Sequence, residues 1–123
     1  MKQEDKELLI RDLCARLPYG VIVEDRNGVH PLTTGNTEFA ALFGGSGWHN
    51  IKPYLRPMSS MTDAEWADCV RSSNIPYDGD EQHCIVAALM ADARARWYDK
   101  KMFDHRGLLP RGLAYEMPEG MYK

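Results

Sequence analysis

Cysteine is scarce in this chain and thinly spread. Cys14, Cys69 and Cys84 are its three cysteines in 123 residues. No two lie close enough in sequence to suggest a C-x-x-C pair or a disulfide framework, and a reduced setting follows. Long apolar runs are missing too. The longest uncharged apolar-rich stretch, "QHCIVAALMA", is far short of the about 20 residues that span a bilayer. The N-terminus, "MKQEDKELLIRDL", mixes acids with its lysines and is not a signal peptide. A soluble, cytoplasmic protein with no membrane contact is expected. Charge of one sign is not in excess: net charge is −3 and the sequence pI is near 5.8. That excludes a global attraction to nucleic acid or to anionic lipid and leaves only local patches.

Recognisable catalytic devices are absent as well. No phosphate-binding glycine loop occurs. Ser59 and Ser60 lack the glycines of a nucleophile elbow, and Ser46 lies in "GGSG", an ordinary loop composition. His49, Cys69, His83 and Cys84 fit none of the zinc spacings, and His83 and Cys84 diverge if helical. No metal and no cofactor is expected, and no catalytic residue is assigned.

The remaining signals describe construction. An apolar fraction of 44% with 27% charged residues is ordinary for a globular protein, and the length suits one domain over residues 1–123. Residues Glu4 to Leu17 read as a helix with Leu9, Leu13 and Leu17 four residues apart and its charges on a solvated face. "GVIVEDRNGVHPLTT" reads as a hairpin turning at Asn27-Gly28, with Val23 opposite Leu32 and Asp25 opposite His30. Pro31 makes its second strand short, bulged or an edge. "NTEFAALF" carries a poor signal, whereas "WHNIKPYL" suggests another strand anchored by Trp48 and Ile51.

Two helices then dominate, at about 62–73 and 80–101. The second has Ile85, Leu89, Ala93 and Trp97 every four residues, with Val86, Met90 and Tyr98 beside them as a core-facing stripe. The tail from Phe103 onward reads as short turns pinned by Phe103, Leu108, Leu109, Leu113 and Tyr115. Leu17-Pro18-Tyr19-Gly20, Leu109-Pro110-Arg111-Gly112 and Met117-Pro118-Glu119-Gly120 share an apolar-Pro-x-Gly form that suits type I turns. The fold class is therefore α+β: an N-terminal helix, a short antiparallel sheet or partial barrel over about 20–54, two main helices and an irregular tail.

"KPYLRPMSSMTDAEW", Lys52 to Trp66, is the most organised stretch. Pro53 and Pro57 bias their predecessors away from helix. Thr62 and Glu65 form a capping box, with Met61 and Trp66 at the positions of a hydrophobic staple. Tyr54 and Arg56 alone have no structural role in this reading.

The blocks "RLPYGV", "IKPYLRPMSSMT", "FDHRGL" and "PEGMY" resemble a family of small proteins encoded by gut anaerobic bacteria and by their phages and mobile elements. The resemblance covers most of the chain apart from residues 30–50. That family has no established activity, so the likeness implies a setting and no catalytic residues. His105 stands where the family pattern has tyrosine, which argues against a chemical role for it.

Three functions are weighed. The first is a non-enzymatic module that binds a protein partner, supported by the density of Trp, Tyr, Met and Arg near turns. The second is a nucleic-acid accessory protein using the basic stretch 94–111; from Met90 to Arg111, the six bases Arg94, Arg96, Lys100, Lys101, Arg106 and Arg111 stand against the three acids Asp92, Asp99 and Asp104, beside Trp97 and Tyr98. The third is a small hydrolase or nuclease using Asp25 with His30, Asp99 with His105, or Asp104 with Arg106. The candidate interaction surface comprises those six basic residues with Tyr54, Arg56 and Tyr122.

Overall fold

The computed structural model describes residues 2–36, 39–41, 51–74 and 83–122, with the side chains of 83 and 84 excepted. Helix α1 spans Gln3–Arg16 and passes into a 3₁₀ turn at Leu17–Tyr19. Strands β1 (Ile22–Asp25), β2 (Gly28–Pro31) and β3 (Lys52–Leu55) follow, then helices α2 (Asp63–Ser73) and α3 (His83–Lys100), and last strand β4 (Tyr115–Glu116). The sheet order is β2-β1-β3-β4. β1 pairs antiparallel with both neighbours, and β3 pairs parallel with β4. The fold is thus α+β with a mixed sheet.

The hairpin turns one residue earlier than the Asn-Gly pair suggests. Asp25 faces Gly28 and Val23 faces His30. The reason is local: the Asp25 carboxylate accepts the Asn27 N–H at 2.8 Å, an Asx turn that tightens the chain two residues on. β2 is the edge strand that Pro31 requires. The parallel strand β4 lies within the expected turn-only tail and completes the sheet beside β3. Trp48 lies outside the described residues, while Ile51 is buried next to β3.

One core gathers Leu9 and Leu13 of α1, Val21, Val23, Leu55, and Leu108 and Leu113 of the tail. A smaller one joins Cys69, Trp97 and Phe103, with Met61 packed against it. α3 corrects the sequence reading. Ile85 is 65% and Leu89 48% exposed, whereas Val86 and Trp97 are buried. A four-residue repeat drifts about 40° per step on a helix of 3.6 residues per turn, so Ile85 lies about 120° from Trp97. Val86 and Met90, eleven and seven residues before Trp97, fall within about 20° of it. The charges of α1 also depart from expectation. Asp12 and Arg16 are fully buried, for reasons given below.

The capping box of the Lys52–Trp66 junction forms as its sequence implies, while Met61 packs against the smaller core instead of a buried Trp66. The Thr62 hydroxyl accepts the Glu65 N–H at 3.1 Å, and the Glu65 carboxylate accepts the Thr62 N–H at 3.0 Å. Trp66 is 45% exposed, beneath the Arg94 guanidinium. The apolar-Pro-x-Gly segments close as turns, with Gly20 and Gly112 at φ of +74° and +72°, a conformation glycine adopts without a steric penalty.

α3 ends in a Schellman motif: the Phe103 N–H reaches the Tyr98 carbonyl and the Met102 N–H the Asp99 carbonyl. Met102 occupies the left-handed position, at φ +63°, usually given to glycine. Its side chain is 1% exposed, and that burial offsets about 1–2 kcal/mol of backbone cost.

Candidate functional site

Three features gather the polar chemistry: a buried ion network, a histidine–carboxylate pair on the hairpin, and a basic groove at the end of α3.

The network lies between α1, the last turn of α3 and the "FDHRGL" segment. Arg16 Nε donates to Asp12 at 2.9 Å and Arg16 Nη2 to the Phe103 carbonyl at 2.6 Å. Arg106 Nη1 bridges Asp12 and Asp99 at 2.8 and 2.7 Å, and its Nη2 also reaches Asp99. His105 Nε2 lies 2.8 Å from the same Asp99 oxygen. Burial pushes the Asp99 carboxyl up, but the hydrogen bonds from His105 and Arg106 outweigh it and hold the group at about 2. Asp104 is taken up separately, accepting the N–H groups of Leu108 and Leu109 at 2.8 and 2.9 Å. The expected Asp104–Arg106 pair therefore gives way to two different arrangements. Arg106 turns inward, with a side chain only 16% exposed.

A sequence signal for this network existed. Leu9, Asp12, Leu13 and Arg16 follow the i, i+3, i+4, i+7 spacing of a core-facing stripe.

On the hairpin, Asp25 Oδ2 is 2.9 Å from His30 Nε2 and accepts Asn36 Nδ2 at 2.9 Å. His30 Nδ1 faces the Pro31 carbonyl at 2.9 Å. Both ring nitrogens thus face acceptors, and only the imidazolium satisfies both. The Pro31 carbonyl and the Asp25 carboxylate accordingly raise the His30 pKa. For Asp25, burial acts upward but is outweighed by Asn36 and His30, and its pKa falls. Asn36 in turn accepts the Phe39 N–H at 2.7 Å, and Phe39 is buried in the main core.

This pair has a pH signature. The His30 contribution is complete below its unfolded pKa of about 6.5 and is lost as pH rises through the higher folded value. The Asp25 contribution is present above about pH 4 and is lost on acidification. Amide exchange at Phe39, corrected for its intrinsic rate, should therefore be slower at pH 5.5 than at pH 8.5. His30→Gln should remove most of that difference; an unchanged ratio in the variant would contradict the assignment.

The expected surface residues divide sharply. Arg56 forms a two-pronged bond to Glu65, the same carboxylate that closes the capping box. With burial opposing, that guanidinium is the main reason Glu65 is lowered to about 2. Arg94 donates to Ser73 Oγ, Arg96 pairs with Asp92 and Arg111 with Asp5. The Tyr54 ring packs against Tyr115 with centroids 5.4 Å apart.

The Tyr122 hydroxyl accepts the Ile22 N–H at 2.9 Å and donates to the Tyr54 carbonyl at 2.8 Å, and burial pushes its pKa to about 12. Tyr122→Phe should cost about 1–3 kcal/mol by orphaning a strand N–H, read as a lower urea midpoint. A neutral result would show that the tail is not tied to the sheet through this hydroxyl.

Lys100 and Lys101 remain. Both are exposed, and among the described residues neither has a salt-bridge partner. They line two hollows at once. One, of about 340 Å³, is completed by Arg56, Met117, Gly120 and Tyr122. The other, of about 410 Å³, includes Tyr19, Asp68, Ser72, Ala93, Arg96 and Trp97. A third, beside α1, is about 210 Å³. None of the three is lined by Asp25, His30, Asp99, Asp104 or His105.

Among the described residues no group of three or more His, Cys, Asp or Glu is placed to hold a metal. His49 and the side chains of His83 and Cys84 lie outside that description. Cys14 and Cys69 are free thiols, Cys69 buried. No described helix is long and apolar enough to cross a membrane. Comparison with family models, curated proteins and solved structures finds no match to this chain.

Proposed function

We propose that this chain is a small non-enzymatic protein-interaction module acting in the cytoplasm as an accessory factor of a phage or mobile element. The observation that carries the reading is the pair of hollows lined by Lys100 and Lys101, concave and partly apolar, where neither lysine has a salt-bridge partner among the described residues. The mobile-element setting draws only on the resemblance of the "KPYLRPMSSMT" and "FDHRGL" blocks to proteins of gut bacteria and their phages.

Two further observations support a binding role over the alternatives. Acid–base catalysis needs a titratable group in a cleft that substrate can reach. Here the paired carboxylates and histidines are bound up with arginines, amides and backbone groups away from the three hollows. A nucleic-acid surface needs a row of free cations. Of the six basic residues from Arg94 to Arg111, four are engaged within the fold.

The test is affinity purification from cells at native expression level, comparing the parent with Lys100→Glu/Lys101→Glu. The parent should retain a discrete protein with a protein-like 260/280 nm absorbance ratio, and the variant should lose it while keeping its melting temperature. The same co-purifying set in both forms would refute the reading, as would Lys-dependent retention of nucleic acid.

A further inference from the structure

From the two hollows that Lys100 and Lys101 both line, we infer that the partner presents a short acidic segment with one or two apolar side chains, seated across Lys100 and Lys101. This rests on the interaction reading above and specifies its ligand.

The first argument is charge. The whole chain carries net charge −3, yet the groove has two exposed ammonium groups with no ion-pair partner among the described residues. The other cations at its walls are already balanced: Arg56 by Glu65, and Arg96 by Asp92. Asp68, the acid in the lining, is engaged by Trp97 Nε1 at 3.0 Å and by Arg71, and it also feels the charge of Lys101, though the two form no salt bridge. The surplus of two positive charges is thus local, against an acidic background, and matches a ligand with two or more carboxylates.

The usual structural reason for lysines at a helix C-terminus carries less weight here. Cations there offset the partial negative charge of unpaired carbonyls. In α3 the Tyr98 and Asp99 carbonyls already accept N–H groups from Phe103 and Met102, and the Trp97 carbonyl accepts the Lys101 N–H. The helix end is closed by the backbone, and among the described residues the two ammonium groups form no salt bridge that a ligand would have to break.

The walls supply the apolar half of the specificity. Met117 and the Tyr122 ring line one side, Ala93 and Trp97 the other. Hollows of about 340 and 410 Å³ fit one or two side chains each. Two lysines would neutralise only about two phosphates, giving a salt slope of about −1.4 on a single strand and weak binding to nucleic acid.

The test uses fluorescence anisotropy with the purified full chain and three labelled probes: a ten-residue peptide with four glutamates around a central Phe-Leu pair, its counterpart with glutamine for every glutamate, and a twelve-nucleotide thymidine oligomer. The acidic peptide should bind at least tenfold tighter than the glutamine peptide and tighter than the oligomer. Lys100→Glu/Lys101→Glu should weaken it at least tenfold. Lys2→Glu/Arg11→Glu, an equal charge change on α1, should alter it less than twofold.

Equal binding of the two peptides would overturn the inference, as would an equal effect of the two double variants, tighter binding of the oligomer, or no binding of the acidic peptide at 1 mM. If the acidic peptide fails while cellular co-purification still depends on Lys100 and Lys101, the acidic-segment inference falls and the interaction reading stands. If co-purification is also indifferent to those lysines, both fall.

Discussion

An Asp99→Ala protein should unfold with about 3–5 kcal/mol less free energy than the parent, the typical cost of removing one partner from a buried ion pair. Asp99 is 3% exposed and holds three groups together: both prongs of Arg106, His105, and at 3.7 Å Arg16. Its loss leaves the buried Arg16 and the partly buried Arg106 sharing the single carboxylate of Asp12. A protein of this size is stabilised by about 5–15 kcal/mol, so the change removes a third or more, and Tm should fall by roughly 10–20 °C.

Asp99→Asn separates charge from shape. It keeps the volume and one acceptor oxygen, and should lose less. It should also flatten the acid limb of the stability curve. Folded Asp99 holds its proton less tightly than the unfolded chain does, so its contribution is complete above about pH 4 and disappears as pH falls toward 2. Urea midpoints of the parent and Asp99→Asn should therefore converge between pH 4 and pH 2. Parallel curves would place the acid sensitivity elsewhere, with Glu65 the next candidate.

Phe103→Ala should cost a comparable amount, about 3–5 kcal/mol. Phe103 is fully buried, its ring stacked on Trp97 with centroids 5.8 Å apart and capped by the Arg56 guanidinium at 4.2 Å. Its carbonyl accepts Arg16, and its N–H closes the end of α3. It therefore touches α1, the β3 extension and α3 together. Near-ultraviolet circular dichroism should lose intensity from Trp97 along with the stability. A drop in stability below 1 kcal/mol would mean that the smaller core is not a structural centre.

These two residues illustrate what sequence conveys here and what it does not. Signals that act over a few residues are legible: the Thr62–Glu65 capping box, the edge position of β2 implied by Pro31, the span of α2 and the Pro-x-Gly turns. Each depends on backbone groups within one turn of the residue that signals it. The Asp12–Arg106 bond joins residues 94 apart and the Arg16–Phe103 bond residues 87 apart, and no local pattern specifies such a partner. The same applies to β4, whose Tyr115 pairs with Tyr54.

The basic stretch misleads for a related reason. Counting cations along the chain cannot reveal that Arg106 points into the core, or that Arg94, Arg96 and Arg111 have partners on α2, α3 and α1. Lys100 and Lys101 stand out only by subtraction, once the four arginines of the 94–111 stretch have been assigned. Arg56 could have been anticipated in part. A capping-box glutamate uses one oxygen on the backbone and leaves the other open; Arg56 takes that one and shares the first.

Where an acidic ligand sits on the protein decides its function. ¹H–¹⁵N correlation spectra of the full chain, titrated with the acidic peptide at pH 6.5, measure this directly. The predicted result is a set of shift changes confined to Tyr19, Ala93, Trp97, Lys100, Lys101, Met117 and Gly120, absent in Lys100→Glu/Lys101→Glu. Changes centred instead on Asp25 and His30, or on Asp99 and His105, would contradict it.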